Sequence, residues 1–221
     1  MKIQIIILST LILLLCSCRK ELEYPPQDET GHVTFMVESI SRNSQEGDFQ
    51  DGDAIGIFAI EPITGVYWAT NNKYVYDGNK FKPATEEDDI VVTKGTDFDF
   101  YVYYPYDPNQ NDITNISHVC IDQDTKSGWV SSDFMTATYT DAIIDYSIPL
   151  QFKHNYATVE VHVNKNDGVT AATLKNVKYS SRINLLTGQS ITEDSRINLK
   201  MYCYNANDNG NAIFRCTVPV Q

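Results

Sequence analysis

Side chains that commonly carry out catalysis are scattered through this sequence. The four histidines are His32, His118, His154 and His162, and no motif such as Gly-x-Ser-x-Gly or His-Glu-x-x-His surrounds any of them. A structural role therefore explains each histidine better than metal ligation does. The sequence predicts a protein that is not an enzyme and that has no cofactor and no metal site.

Three cysteines, Cys120, Cys203 and Cys216, lie in the body of the chain. Asn209-Gly210 favours a two-residue hairpin turn, which would place Cys203 opposite Cys216 in a non-hydrogen-bonded pair, where two Cα atoms are closest. One expectation is a disulfide between Cys203 and Cys216. The other is a set of small buried thiols, because a one-residue slip of the register separates the two outcomes.

The first 17 residues have the pattern of a secretion signal. Lys2 precedes an apolar run from Ile3 to Leu15, which is short for a permanent membrane helix. The following Leu15-Cys16-Ser17-Cys18 resembles the lipobox of bacterial lipoproteins, in which a leucine stands three residues before the lipidated cysteine and a small residue stands just before it. The resemblance implies cleavage after Ser17 and lipidation of Cys18. An uncleaved anchor or a buried helix is the alternative.

A lipidated Cys18 would make the membrane the first partner of the chain, since each buried CH₂ group contributes about 0.8 kcal/mol. Residues 18–31, with Tyr24-Pro25-Pro26, have the composition of an extended tether. The net charge of −12 argues against binding to nucleic acid.

Period-two alternation of apolar and polar residues predicts an all-β fold. Helical periodicity is scarce. The predicted strands lie at 32–40, 54–60, 97–104, 129–139, 143–152 and 156–163. Residues 54–60 are apolar throughout, which predicts burial on both faces, and Asp77-Gly78 predicts a hairpin over 74–81. Lys165 to Val169 is polar and contains glycine, so it is the predicted boundary between a first domain (32–165) and a shorter second one (166–221).

The most aromatic stretch is Asp97 to Pro108. Phe100, Val102 and Tyr104 fall on one face of the predicted strand, while Tyr101 and Tyr103 fall on the other. Burial of one face would make these rings part of a core. The alternative is an exposed platform on which Tyr101, Tyr103, Tyr104 and Trp129 stack against a ligand.

Several segments together resemble the fimbrillin family of Bacteroidales cell-surface lipoproteins. They are Phe49-Gln-Asp-Gly-Asp-Ala-Ile-Gly-Ile-Phe-Ala59, Tyr76-Asp-Gly-Asn-Lys-Phe81, Phe100-Tyr-Val-Tyr-Tyr-Pro-Tyr106 and Phe152-Lys-His-Asn-Tyr-Ala157. The resemblance implies transthyretin-like β-sandwich domains that act as structural, anchoring or adhesive parts of surface fimbriae on the outer membrane. Other fimbrial subunits and a host or bacterial surface ligand would be the partners.

The resemblance also implies assembly by β-strand addition after an arginine-specific cut removes the first strand. Ser41-Arg42-Asn43 follows the candidate first strand, so Arg42 is the candidate cleavage site. A simple surface arginine is the alternative.

One departure is that family members usually continue for several strands past Ala212 to Gln221. The expectation is therefore a partial second β domain in a subunit that accepts a strand without donating one, or in an incomplete gene product. The alternative function is an outer-membrane surface lipoprotein that binds glycan or protein through exposed aromatic residues.

Overall fold

A computed structural model describes residues 29–40, 49–164, 168–204 and 211–220. The all-β prediction is confirmed: nearly all of the regular structure is strand, arranged in several sheets as a sandwich-like fold with more than one domain. No helix in these ranges is long and apolar enough to span a membrane.

The strands of the first part of the chain are β1 Thr30–His32, β2 Thr34–Ile40, β3 Ala54–Ile60, β4 Tyr67–Tyr76, β5 Phe81–Pro83, β6 Val91–Thr93, β7 Asp99–Tyr104, β8 Ile116–Val119, β9 Met135–Tyr139 and β10 Ser147–His154. The strands that follow are β11 Tyr156–Asn164, β12 Thr173–Lys178, β13 Ser180–Asn184, β14 Gln189–Thr192, β15 Arg196–Lys200, β16 Tyr202–Tyr204 and β17 Asn211–Pro219. A 3-10 turn covers Glu86–Asp88, and helix α1 covers Lys126–Ser131.

Seven strands of the first part close into a barrel in the order β10-β2-β5-β4-β3-β7-β9. Side chains alternate between the two faces of each strand, and those that point inward form the barrel core. These inward side chains are apolar, and many of them are aromatic rings. Strand β3 is buried along its whole middle, as its unbroken apolar sequence predicts.

The remaining strands form smaller antiparallel sheets, β11-β17-β16, β14-β13-β8, β12-β15 and β1-β6. Their pairing does not follow the predicted domain boundary after residue 165. Strand β8 from the first part pairs with β13, and β11, expected to complete the first domain, pairs along its whole length with β17. Sequence alternation identified β11 as a strand but contains no information about its partner.

A second apolar core joins these sheets to the outside of the barrel. It combines buried residues from β3, β7, β8, β11 and β13 with four from the loops, and it includes Phe58, Tyr103, Ile116, Tyr156 and Ile183. A third core lies between β17 and β15 and includes Leu199, Phe214 and Val218. The second core therefore depends on residues from both sides of the predicted boundary.

Candidate functional site: the seat of strand β2 and the aromatic strand β7

Strand β2 is built into the barrel by apolar side chains that point inward. Phe35 is fully buried, and its ring meets Tyr74 at 5.1 Å and Phe100 at 5.3 Å between centroids, both edge to face. Val33, just before the strand, is also fully buried. Removal of β2 would therefore expose a strip of apolar and aromatic surface inside the barrel.

The two edges of β2 are held unequally. On one side it runs parallel to β10, with register pairs from Thr34–Ser147 to Ile40–Phe152. On the other side it meets β5 through the single pair Phe35–Phe81. Strand β10 therefore provides most of the ladder that holds β2 in the barrel.

Strand β7 supplies the core rather than an exposed platform. Phe100 and Val102 are fully buried, and Tyr104 is nearly so, with its hydroxyl 3.3 Å from Asp53 Oδ1. Burial, together with the nearby Asp53 carboxylate, raises the pKa of Tyr104. These three side chains belong to the first core, as their alternation predicts.

The other face of β7 is also covered. The Tyr103 hydroxyl donates toward Asn71 Oδ1 at 2.7 Å and lies 2.9 Å from the Asp107 carbonyl oxygen. Its ring packs directly over Gly56, where a Cβ atom would overlap the Tyr103 ring. Burial raises the pKa of Tyr103, and the second core covers its ring. Glycine at position 56 is thus a requirement of close ring-to-backbone packing.

Trp129 lies in α1 and not in the predicted strand 129–139. The helix starts at the N-cap Thr125, whose hydroxyl accepts a hydrogen bond from the Gly128 amide at 3.0 Å. The buried Trp129 ring stacks on Tyr202 at 6.0 Å. Sequence reasoning missed this helix because it is only six residues long.

The predicted stacking platform is therefore wrong for Tyr103, Tyr104 and Trp129. Tyr103, Tyr104 and Trp129 are buried, and Tyr101 is half-buried. Rings enclosed by other side chains cannot present a face to a sugar. The physical reason is that two separate cores, one on each side of β7, both need aromatic area.

Exposed apolar residues lie instead at the turn between β3 and β4 and at the start of β4. Ile63 is 86% exposed, Trp68 is 56% exposed and Tyr67 is 49% exposed. The Trp68 Nε1 donates to the Val91 carbonyl oxygen at 3.1 Å, so one edge of the indole is fixed. The sequence signal was the run of apolar residues beside Thr64-Gly65, a turn dipeptide that places its neighbours at a surface.

Cys203 and Cys216 do not face each other. Cys203 is opposite Phe214 and Tyr204 is opposite Ile213, which shifts the pairing by two residues from the predicted register. Both cysteines are free thiols, as is Cys120. Burial raises the pKa of Cys216 to about 11 and that of Cys120 to about 12. The free thiols match the alternative that the sequence left open.

Cys216 is preceded along β17 by the buried Arg215. Arg215 is opposite Glu160 on β11, and its Nε lies 2.5 Å from Glu160 Oε1. The guanidinium carbon also lies 4.1 Å from the ring centre of Tyr204. The carboxylate and the aromatic ring offset part of this cation's loss of water, but Nε and Nη1 are buried and make no hydrogen bond in the described part of the chain.

Three of the four histidines pair with a carboxylate. His32 pairs with Asp89, His154 Nδ1 lies 2.7 Å from Asp133 Oδ1, and His162 lies near Glu160. His118 stacks on Phe134 at 5.0 Å, and burial lowers its pKa to about 4. No group of three or more His, Cys, Asp or Glu able to hold a metal occurs in the described ranges.

Ser17, Cys18 and Arg42 lie outside the described residues. The predictions of cleavage after Ser17, lipidation of Cys18 and processing at Arg42 therefore stay predictions. Arg42 follows the last residue of β2, Ile40, by two positions.

The fold and this site define a class of protein: a multi-sheet β protein whose barrel is closed by strand β2, near the start of the described residues. A family model described as fimbrillin-like matches residues 41–218, and the chain belongs to this family. The match begins just after β2.

Solved structures with the same fold come from Bacteroides. One, a protein thought to act in cell adhesion from Bacteroides ovatus, is 16% identical with a TM-score of 0.61, covering 87% of this chain and 78% of the other. Another such protein, from Bacteroides uniformis, is 17% identical with a TM-score of 0.61, covering 88% and 76%. Among curated proteins, none matches.

Proposed function

We propose that this protein is a lipid-anchored subunit of a surface fimbria, with a structural, anchoring or adhesive role, held on the outer membrane through Cys18. Family membership supports a fimbrial role, and the shared fold of the Bacteroides proteins thought to act in cell adhesion supports a surface role. The apolar segment Ile3 to Leu15, followed by Leu15-Cys16-Ser17-Cys18, supports export and acylation.

Neighbouring subunits join by β-strand addition. The observation that carries this proposal is the way in which β2 is held in the barrel. The strand fills an aromatic groove, yet it is held on its β5 side by a single register pair. Once β2 leaves, the barrel has two open edges and an apolar groove between them, which favours occupation by a strand from another subunit.

Cleavage at Arg42 is the step that frees β2 together with the Cys18 anchor, so the anchor holds the uncut precursor at the membrane. This step can be tested directly. The full chain is treated with an arginine-specific protease, cleavage is located by mass spectrometry, and assembly is followed by electron microscopy. The expected result is ordered oligomers from the wild type and none from Arg42→Gln. Monomers after complete cleavage at Arg42 and loss of residues 29–40 would rule out strand exchange in this chain.

Acylation at Cys18 has a separate test. Mass spectrometry of the protein isolated from membranes should find a peptide that begins at Cys18 and carries acyl chains. A Cys18→Ala variant should lose stable membrane association, because it cannot carry acyl chains at that position. An intact leader followed by an unmodified Cys18 thiol would contradict the anchor.

A second candidate function is adhesion through the exposed turn between β3 and β4. Ile63, Tyr67 and Trp68 form an apolar surface there, and exposed groups of this kind often mark contact sites. Trp68→Ala should reduce adhesion of bacteria that display the protein. Ile191→Ala, which removes another exposed apolar side chain, is the control. If both variants adhered as well as the wild type, the turn would be excluded as an adhesion site.

A further inference from the structure

A polar cleft of about 280 Å³ lies between the outer face of the barrel and the turn that joins β13 to β14. Its walls include Tyr101, Thr138, Thr140 and Lys153 on the barrel side, and Leu185 and Gly188 on the turn side. This volume is at the lower end of the range for small-molecule sites, so it suits one ring-sized ligand.

The barrel side of the cleft is a flat, regular surface made by three consecutive strands. Tyr101 on β7 is the register partner of Thr138 on β9, and Thr136 on β9 is the partner of Lys153 on β10. Alternation along β9 places Thr136 and Thr138 on the same outward face, and Thr140 follows the strand directly and also lines the cleft. The hydroxyls and the ammonium group therefore project from a rigid sheet.

The turn side is also fixed. The Asn184 side-chain oxygen accepts from the Leu186 amide at 3.0 Å and the Thr187 amide at 3.3 Å, and the Gly188 amide donates to the Asn184 carbonyl at 2.8 Å. Gly188 has a φ of +68°, which a side chain would strain. The Leu185 amide donates to the Ile113 carbonyl at 2.9 Å, which ties the turn to the body of the protein. A site fixed in this way spends little free energy on ordering when a ligand binds.

Three polar groups at the cleft have no partner within the described part of the chain. The hydroxyls of Thr138 and Thr140 make no hydrogen bond there, and Lys153 makes neither a hydrogen bond nor an ion pair. The Lys153 Nζ lies 3.7 Å from the point where a Cβ on Gly188 would stand, so the ammonium group sits against the turn. In a chain of net charge −12, a lysine without a carboxylate partner beside a cleft is notable.

We propose that this cleft binds one monosaccharide unit that carries a negative group, a uronic acid or a sulfated hexose. Lys153 binds the carboxylate or sulfate by a charge-assisted hydrogen bond. Thr138 and Thr140 bind ring hydroxyls, and Leu185 with the Tyr101 ring covers the less polar C–H face. Hydroxyl-rich walls and room for one ring favour a sugar over an acidic peptide, whose backbone amides would need a row of acceptors.

The inference goes beyond the proposed function, since a fimbrial subunit needs no sugar site in order to assemble. Binding is measured on the uncut full chain, so its result does not depend on strand exchange. The protein is kept in a detergent without a sugar headgroup and titrated by ligand-observed NMR. The probes are glucuronate, glucose 6-sulfate, glucose and the peptide Asp-Asp-Glu.

Glucuronate or glucose 6-sulfate should bind with a dissociation constant in the millimolar range or below, at least tenfold more tightly than glucose. The charged sugar that binds more tightly shows whether the cleft prefers a carboxylate or a sulfate. Lys153→Gln should weaken the charged sugar about tenfold, and Thr138→Val should weaken it severalfold. Lys175→Gln, which removes an exposed lysine elsewhere, should bind as the wild type does.

Three results would overturn the proposal. They are equal binding of glucose and the charged sugars, tighter binding of the peptide than of either charged sugar, and equal effects of Lys153→Gln and Lys175→Gln. Absence of binding by every probe at 20-fold the expected dissociation constant would overturn it as well.

Discussion

Replacement of His118 by phenylalanine should change the acid sensitivity of the fold. The His118 ring stacks on Phe134, with Tyr156 at 5.5 Å, and these two aromatic residues belong to the second core, which joins the sheets to the barrel. Phenylalanine keeps a ring of similar size in that place but cannot take up a proton. The substitution therefore isolates the contribution of one titrating group.

The size of the effect follows from the pKa of His118. Burial lowers it from 6.5 to about 4, although the carboxylates of Asp133 and Asp107 act in the opposite direction. The unfolded chain therefore takes up a proton at a higher pH than the folded chain does, so stability falls as pH falls from about 6.5 towards 4. Between pH 7 and pH 5, the linkage relation gives a loss of about 2 kcal/mol in the free energy of unfolding.

Urea denaturation of the wild type and of His118→Phe at pH 7 and pH 5 provides the measurement. The stability of the wild type relative to the variant should fall by about 2 kcal/mol between the two pH values. Carboxylates elsewhere titrate in both proteins, so their contribution cancels in this difference. His162→Phe, at an exposed histidine, is the matched control. A difference that stays constant with pH, or that grows in favour of the wild type at pH 5, would refute this account of His118.

Three further predictions concern packing and the thiols. Gly56→Ala should lower the free energy of unfolding by about 1–3 kcal/mol, because the new methyl group overlaps the Tyr103 ring, and thermal denaturation should show the loss. Glu160→Gln should cost about 1–3 kcal/mol in urea denaturation, since it leaves the buried Arg215 guanidinium without its carboxylate, and a variant as stable as the wild type would contradict this role for the pair. In the native protein, a thiol reagent should modify the half-buried Cys203, while the two buried cysteines should react only after unfolding, and peptide mapping would reveal a disulfide if one formed.

Local patterns were sufficient to predict many of the strands. The alternation in β7 correctly placed Phe100 and Val102 in a core, and the uninterrupted apolar run of β3 correctly indicated burial on both faces. The predicted hairpin around Asp77-Gly78 is confirmed by the pairing of Tyr76 with Phe81. In each case the information lies within a few residues of the chain.

Features that depend on distant partners could not be predicted in this way. The side chains that bury the Tyr103 ring come from strands far from it in the sequence. No local pattern therefore distinguished Tyr103 from an exposed ring. The register of Cys203 against Phe214 depends on the length of the connection between β16 and β17, and a shift of two residues keeps the same face while it changes the partner. The cleft beside Lys153 requires β10 and the turn after β13 to meet, which sequence spacing does not reveal.

The pairing of β8 with β13 and of β11 with β17 has a consequence for the way such genes can diversify. A recombination event near residue 165 would look harmless in the sequence, because it falls in a polar, glycine-containing segment. The hybrid protein would nevertheless combine halves of the same hydrophobic core that had never been selected to fit each other. Exchange of material between relatives is therefore expected to keep the segments on the two sides of residue 165 together.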